Sequence, residues 1–155
     1  LPDMPHAVVD ATACVLNGRL YVMGGANSNK LQVLEMTEEN GLSWSCKAEL
    51  PADRYGAASV VHEGRIWVMG GDVGEDEEQS ASVIIYDAEA DTWETAPPLP
   101  GPCSGGSATM TSDGIFFIGG HRVFQYNNAA WSVAVALPDE THGVFAASMG
   151  CVLLG

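Results

Sequence analysis

The sequence is expected to fold as an all-β chain built from one repeated four-stranded unit, and three observations carry that expectation. A short phrase returns along the chain, its copies stand a nearly constant distance apart, and no stretch sustains a capped helical apolar period. The phrase is NGRLYVMGG at residues 17–25, EGRIWVMGG at 63–71 and DGIFFIGG at 113–120. Its closing glycines, Gly25, Gly71 and Gly120, are 46 and 49 residues apart, a period that marks a repeat architecture. The final GCVLLG, residues 150–155, reads as a copy that stops midway.

Within each copy a turn glycine (Gly18, Gly64, Gly114) leads into an apolar run that ends in a glycine doublet. This is the pattern of a tight hairpin feeding a buried strand, followed by a backbone position that only glycine tolerates. The doublets are Gly24 and Gly25, Gly70 and Gly71, Gly119 and Gly120. They open no helix, and neither GxxxxGK nor GxGxxG surrounds them, so they are expected to be structural rather than phosphate-binding.

Ahead of each phrase lies a run of small and β-branched residues: AVVDATACVL from Ala7, GAASVV from Gly56, GGSATM from Gly105 and GVFAAS from Gly143. Such residues suit a strand packed where room is scarce, as the innermost strand of a radial array is. After the doublet comes a connection of variable length, then a third apolar run: LQVLEM from Leu31, SVIIYD from Ser82, RVFQYN from Arg122. A polar turn follows, and Trp44, Trp93 or Trp131 opens a fourth strand. Recurring once per unit, these tryptophans are expected to wedge between neighbouring units rather than to stack a sugar or base. Trp67 stands where Tyr21 and Phe116 stand in the other copies and is expected in the core. Proline-bearing stretches (LPDMP, AELPAD, PPLPGP, ALPDE) separate the units as exposed connections.

Four short antiparallel strands per unit of this length compose a propeller blade, and the pattern resembles the kelch repeat. The second copy carries the resemblance most fully. Arg54, Tyr55 and Gly56 precede the first strand, IWVMGG forms the second, and Tyr86, Asp87 and Trp93 stand in VIIYDAEADTW. The first copy keeps the doublet and Trp44 but has Leu34 and Glu35 in place of the tyrosine and aspartate; the third keeps Tyr126 and Trp131. The resemblance implies an incomplete arc of a kelch-type β-propeller, with blades near residues 1–51, 52–102 and 103–138 and a partial blade at 139–155. Propellers close with about four to eight blades, so the missing blades are expected from the rest of a longer chain.

The charge of −14, from 20 acidic residues against 6 basic ones, opposes nucleic-acid backbones and anionic lipid and favours a basic partner. No apolar run approaches the roughly 20 residues of a membrane helix. The opening LPDMPHAVVD lacks the basic and apolar regions of a secretory signal. A soluble, intracellular (cytoplasmic) protein is therefore expected. Cys14, Cys46, Cys103 and Cys151 form no CxxC pair and read as reduced thiols, so neither metal nor cofactor is anticipated.

The acidic run Asp72, Glu75, Asp76, Glu77 and Glu78 lacks the spacing of an EF-hand loop and reads as a solvated loop or a contact for a basic partner. In the kelch family, the connections between second and third strands share a face with those between blades, and that face commonly receives the ligand. In that register Arg54, Asp72, Glu75, Asp76, Glu77, His121, Arg122 and His142 surround one rim, with His6 a further candidate. The resemblance thus implies a non-catalytic protein–protein interaction module or scaffold, such as a substrate-recruiting domain.

Two other readings stand beside it. One is a structural accessory subunit of a large assembly. The other is a propeller enzyme, an oxidase or glycan-processing enzyme. A copper-radical oxidase needs clustered tyrosine and histidine ligands, and a sialidase needs converging arginines. The scattered histidines supply no such cluster, Arg19 and Arg65 fall at the hairpin turn, and GxSxG is absent.

Overall fold

The computed structural model describes residues 1–39, 41–74, 78–119 and 122–136. The predicted Glu75, Asp76, Glu77, Gly120, His121 and His142, together with the fourth repeat, lie outside the described residues.

The first unit is the sheet β1 (Thr12–Leu16), β2 (Arg19–Met23), β3 (Leu31–Thr37) and β4 (Gly41–Cys46), antiparallel in sequence order. A two-residue strand β5 (Arg54–Tyr55) precedes the second unit, which begins with β6 (Ala58–His62) and β7 (Arg65–Met69). The strands β8 (Asp72–Val73) and β9 (Glu78–Gln79) interrupt it before β10 (Val83–Asp87) and β11 (Thr92–Ala96) complete the order β6-β7-β10-β11. The third unit runs β12 (Ser107–Thr111), β13 (Gly114–Gly119), β14 (Arg122–Asn127) and β15 (Ala130–Ala136), again in sequence order.

The hairpin turns set the register that makes the units superimpose. Leu16 pairs with Arg19 and His62 with Arg65, leaving the two-residue turns Asn17-Gly18 and Glu63-Gly64, whose φ values are all positive, from 49° to 74°. Two positive φ values in a row match the right-handed twist of the flanking strands. The third turn differs: Thr111 pairs with Gly114, so Gly114 opens the strand and Ser112 and Asp113 make the turn.

Side chains alternate across each sheet, so a central strand flanked by two neighbours must be apolar on both faces. β7 meets this condition: Ile66 and Val68 pack toward the first sheet with Leu16, Tyr21, Met23 and Val33, whereas Trp67 and Met69 pack toward the third with Ile115, Phe117 and Phe124. Two apolar layers, one per interface, hold the three sheets together. Each fully buried large side chain contributes roughly 1.5–3 kcal/mol. The inner strands β1, β6 and β12 neighbour one another and line a shared cavity of about 390 Å³ with Thr12, Cys14, Ala57, Ser59, Gly106 and Ser107. The described sheets therefore form an open arc of blades around an axis.

Candidate functional site

The glycine doublets build the face on which the candidate residues fall. A β-carbon on Gly70 would stand 2.6 Å from the Cys103 carbonyl oxygen, and the next amide, Gly71 N–H, donates to that same carbonyl at 2.7 Å. The first interface repeats the arrangement, with Gly25 N–H donating to the Arg54 carbonyl at 2.7 Å. Each of these two doublets thus fastens one blade to the segment that enters the next, and a side chain at its first glycine would force the two apart.

A second set of amides runs nearer the axis. Gly56 N–H donates to Asp10 O at 3.0 Å, and Gly105 N–H to Gly56 O at 2.9 Å. The loop rim is consequently held to the scaffold by backbone bonds at every blade-to-blade step described.

Arg54 is placed differently from the solvent-facing rim residue expected of it. Only 6% exposed, it donates from Nη1 to Gly70 O at 2.5 Å and from Nη2 to Ser82 Oγ at 2.6 Å. Burial pushes its guanidinium below the ordinary arginine value, since desolvation penalises the charged form. The side chain therefore ties the entry of its own blade to the doublet and to the start of β10. Its backbone simultaneously builds a three-stranded miniature sheet with β8 and β9, Arg54 opposite Val73 and Tyr55 opposite Asp72.

That miniature sheet is where the acidic connection emerges. Asp72 accepts a short hydrogen bond from Ser104 Oγ, which bridges the rim of the second blade to the entry of the third. Arg122, exposed at the start of β14, lies beside Gly101 in the same connection as Ser104. The structure thus brings Arg54 and Asp72 into one small sheet and Arg122 alongside the connection that carries Ser104. His6, by contrast, is tied through its backbone to the first blade: its N–H donates to Gln32 Oε1 at 2.8 Å, and Gln32 Nε2 donates to its carbonyl at 2.9 Å.

Trp44, Trp93 and Trp131 are half-buried, and each indole N–H donates to a backbone carbonyl: Pro2 at 3.1 Å, Ala48 at 2.9 Å and Pro97 at 3.0 Å. β11 and β15 are thereby pinned to the exit of the preceding unit, and β4 to the N-terminal segment. Tyr86 adds to the clamp: its hydroxyl donates to Asp91 Oδ1 at 2.7 Å, which also accepts Ala48 N–H at 2.8 Å. These two donors hold the Asp91 carboxyl below the usual carboxylate range.

Sequence reasoning missed Ser104, Ser82 and the miniature sheet. Strands of two residues carry no periodicity to detect, and an isolated serine before a strand has no distinguishing signal. Among the described residues no three histidine, cysteine, aspartate or glutamate side chains cluster as a metal site. No described helix is long and apolar enough to cross a membrane.

The profile of the KLHDC2/KLHL20/DRC7 Kelch-repeats domain matches residues 2–138. Beta-scruin of Limulus polyphemus is 29% identical over 150 residues, covering 92% of this chain and 16% of that protein. Kelch-like protein 35 of Mus musculus is 29% identical over 125 residues, covering 77% of this chain and 20% of that protein. The chain thus spans a small fraction of these relatives. Among solved structures, YjhT superimposes with a TM-score of 0.75 at 15% identity, covering 89% of this chain and 54% of that one. A copper-bound fungal alcohol oxidase superimposes with a TM-score of 0.62 at 20% identity, over 73% of this chain and 27% of that one. At these identities the structural likeness is one of fold alone.

Proposed function

The chain belongs to the KLHDC2/KLHL20/DRC7 kelch-repeat domain family, and on that premise we propose that it is a non-catalytic interaction module that receives a protein partner on its loop rim. The observation that supports the reading is the bridge from Asp72, where the acidic stretch begins, to Ser104 in the entry of the next blade, beside the buried Arg54. Loops held on a rigid scaffold are where recognition is usually located. The partner's matching surface is basic, because Asp72, Glu75, Asp76, Glu77 and Glu78 follow closely in one short stretch of sequence in a chain of net charge −14. Arg122, His121 and His142 complete the proposed rim, and Arg54 supports it from beneath. The remaining blades come from the rest of a longer chain, as the small share of each relative that is matched suggests. An intracellular setting fits the unpaired Cys14, Cys46 and Cys103.

Affinity capture with the full-length protein tests this. A stoichiometric protein partner should be retained by the wild type and reduced about tenfold or more by the combined Glu75→Gln, Asp76→Asn, Glu77→Gln variant, because association between complementary surfaces depends on such charges. Equal capture by both proteins would overturn the proposed rim.

A further inference from the structure

On the opposite, hairpin-turn side of the arc, the interface between the second and third blades opens into a cleft of about 580 Å³. Its walls include His62 and Trp67 from one blade and Tyr126 from the next. The three rings converge: Trp67 and Tyr126 lie 4.9 Å apart between centroids, and His62 and Trp67 5.4 Å apart. Glu63, Glu94 and Asp113 also line the cleft, where they outnumber Arg65, which pairs with Glu94.

The first interface shows what this position looks like when it is closed. Register places Leu16 where His62 stands, Tyr21 where Trp67 stands and Tyr86 where Tyr126 stands. There, Leu16 is 5% exposed within the apolar layer, and the pocket on that side is lined by turn residues such as Asn17 and Asp87 rather than by the rings. At the second interface an imidazole replaces the leucine, and the apolar seal becomes polar.

Two groups here lack partners. Among the described residues nothing bonds Trp67 Nε1 or His62 Nδ1, both buried, and Trp67 is only 3% exposed. The indole N–H is a donor only. Trp44, Trp93 and Trp131 each give theirs to a backbone carbonyl, so a peptide carbonyl is the acceptor this fold supplies elsewhere. His62 Nε2 faces Glu63 Oε1 at 3.9 Å, and the buried Nδ1 is the ring's other hydrogen-bonding atom. The indole donor and an imidazole nitrogen on adjacent rings can meet the C=O and N–H of an amide.

We propose that this cleft is a second binding site, for an extended peptide segment bearing basic side chains. A peptide carbonyl takes the Trp67 indole proton, a peptide N–H faces His62 Nδ1, and the basic ends meet Glu63 and Asp113. The His62 side chain, 16% exposed, is the part of the wall that turns to admit the segment. The site lies away from Asp72 and Ser104 and does not depend on the rim.

The test uses the full-length protein labelled with 5-fluorotryptophan and the probe Ac-Lys-Ala-Ala-Lys-NH2, followed by fluorine NMR, with the Trp67 resonance assigned by its loss in Trp67→Phe. The Trp67 signal should move saturably while those of Trp44, Trp93 and Trp131 stay in place. His62→Leu, which installs the residue of the first interface, should keep the melting temperature and weaken binding about tenfold, the scale of one lost hydrogen bond to a buried partner. Ac-Glu-Ala-Ala-Glu-NH2 should bind more weakly than the basic probe. The absence of a saturable shift at Trp67, undiminished binding in His62→Leu, or equal binding of the acidic peptide would each overturn the proposal.

Discussion

The carbonyl oxygen of Arg54 occupies the space that a side chain on Gly24 would need: a β-carbon there would lie 2.3 Å away. The second blade enters at Arg54 and the first turns back at Gly24, so this one contact sets how closely two blades approach. Gly70 and Cys103 repeat it at the next interface.

Gly70→Ala should therefore destabilise the fold by about 3 kcal/mol or more, because the residue combines a φ of 66° with a backbone clash. Gly64→Ala is the control. Gly64 has a φ of 72° but open space around it, so its cost is about 1–2 kcal/mol of left-handed strain. Urea unfolding of the two variants, compared at equal m-value, measures the difference.

Arg54→Ala should cost about 2–4 kcal/mol, because it removes a buried side chain that donates to Gly70 O and Ser82 Oγ, leaving Ser82 Oγ only its bond with Ser80. Arg54→Lys should recover little of this, since an ammonium lacks the fork that reaches both acceptors. Thermal melts of the two variants should fall close together and well below the wild type.

The Asp91 carboxyl gives a pH signature. Its folded-state pKa is depressed by the Tyr86 hydroxyl first and the Ala48 amide second, so its stabilisation is fully present above the unfolded value of about 4 and is lost as pH falls through the folded value. Relative to wild type, Asp91→Asn should be less stable at neutral pH, and the gap should close on acidification. Melting temperatures of both proteins across pH 7 to about 3 follow it.

Cysteine reactivity should divide by burial. Desolvation pushes the Cys14 thiol up to about 12 despite an opposing hydrogen bond with Ser59, and burial raises Cys103 as well. Cys46 is exposed. Among the described cysteines, iodoacetamide at neutral pH should therefore label Cys46 first, Cys14 slowly because its thiol stays protonated, and Cys103 only with unfolding, as peptide mapping would record.

The repeat itself was legible because Gly24, Gly70, Trp44 and Trp93 recur at matched places, and recurrence distinguishes a structural residue from a chance one. Arg54 was harder to read. A charged residue before a strand looks like surface, and its burial depends on the acceptors Gly70 and Ser82, which are distant in sequence. β8 and β9 were invisible within a loop that read only as acidic. The significance of His62 emerges once the hairpin register sets it against Leu16, a comparison of interfaces that apolar periodicity does not make.

The most direct measurement of the central claim is hydrogen–deuterium exchange on the purified complex between the full-length protein and its captured partner. The account predicts protection concentrated on the rim, at Asp72–Val73, Glu78–Gln79 and the connection through Ser104, with the Glu63-Gly64 turn unchanged. Protection confined to the turn side, with the rim exchanging as in the free protein, would contradict it.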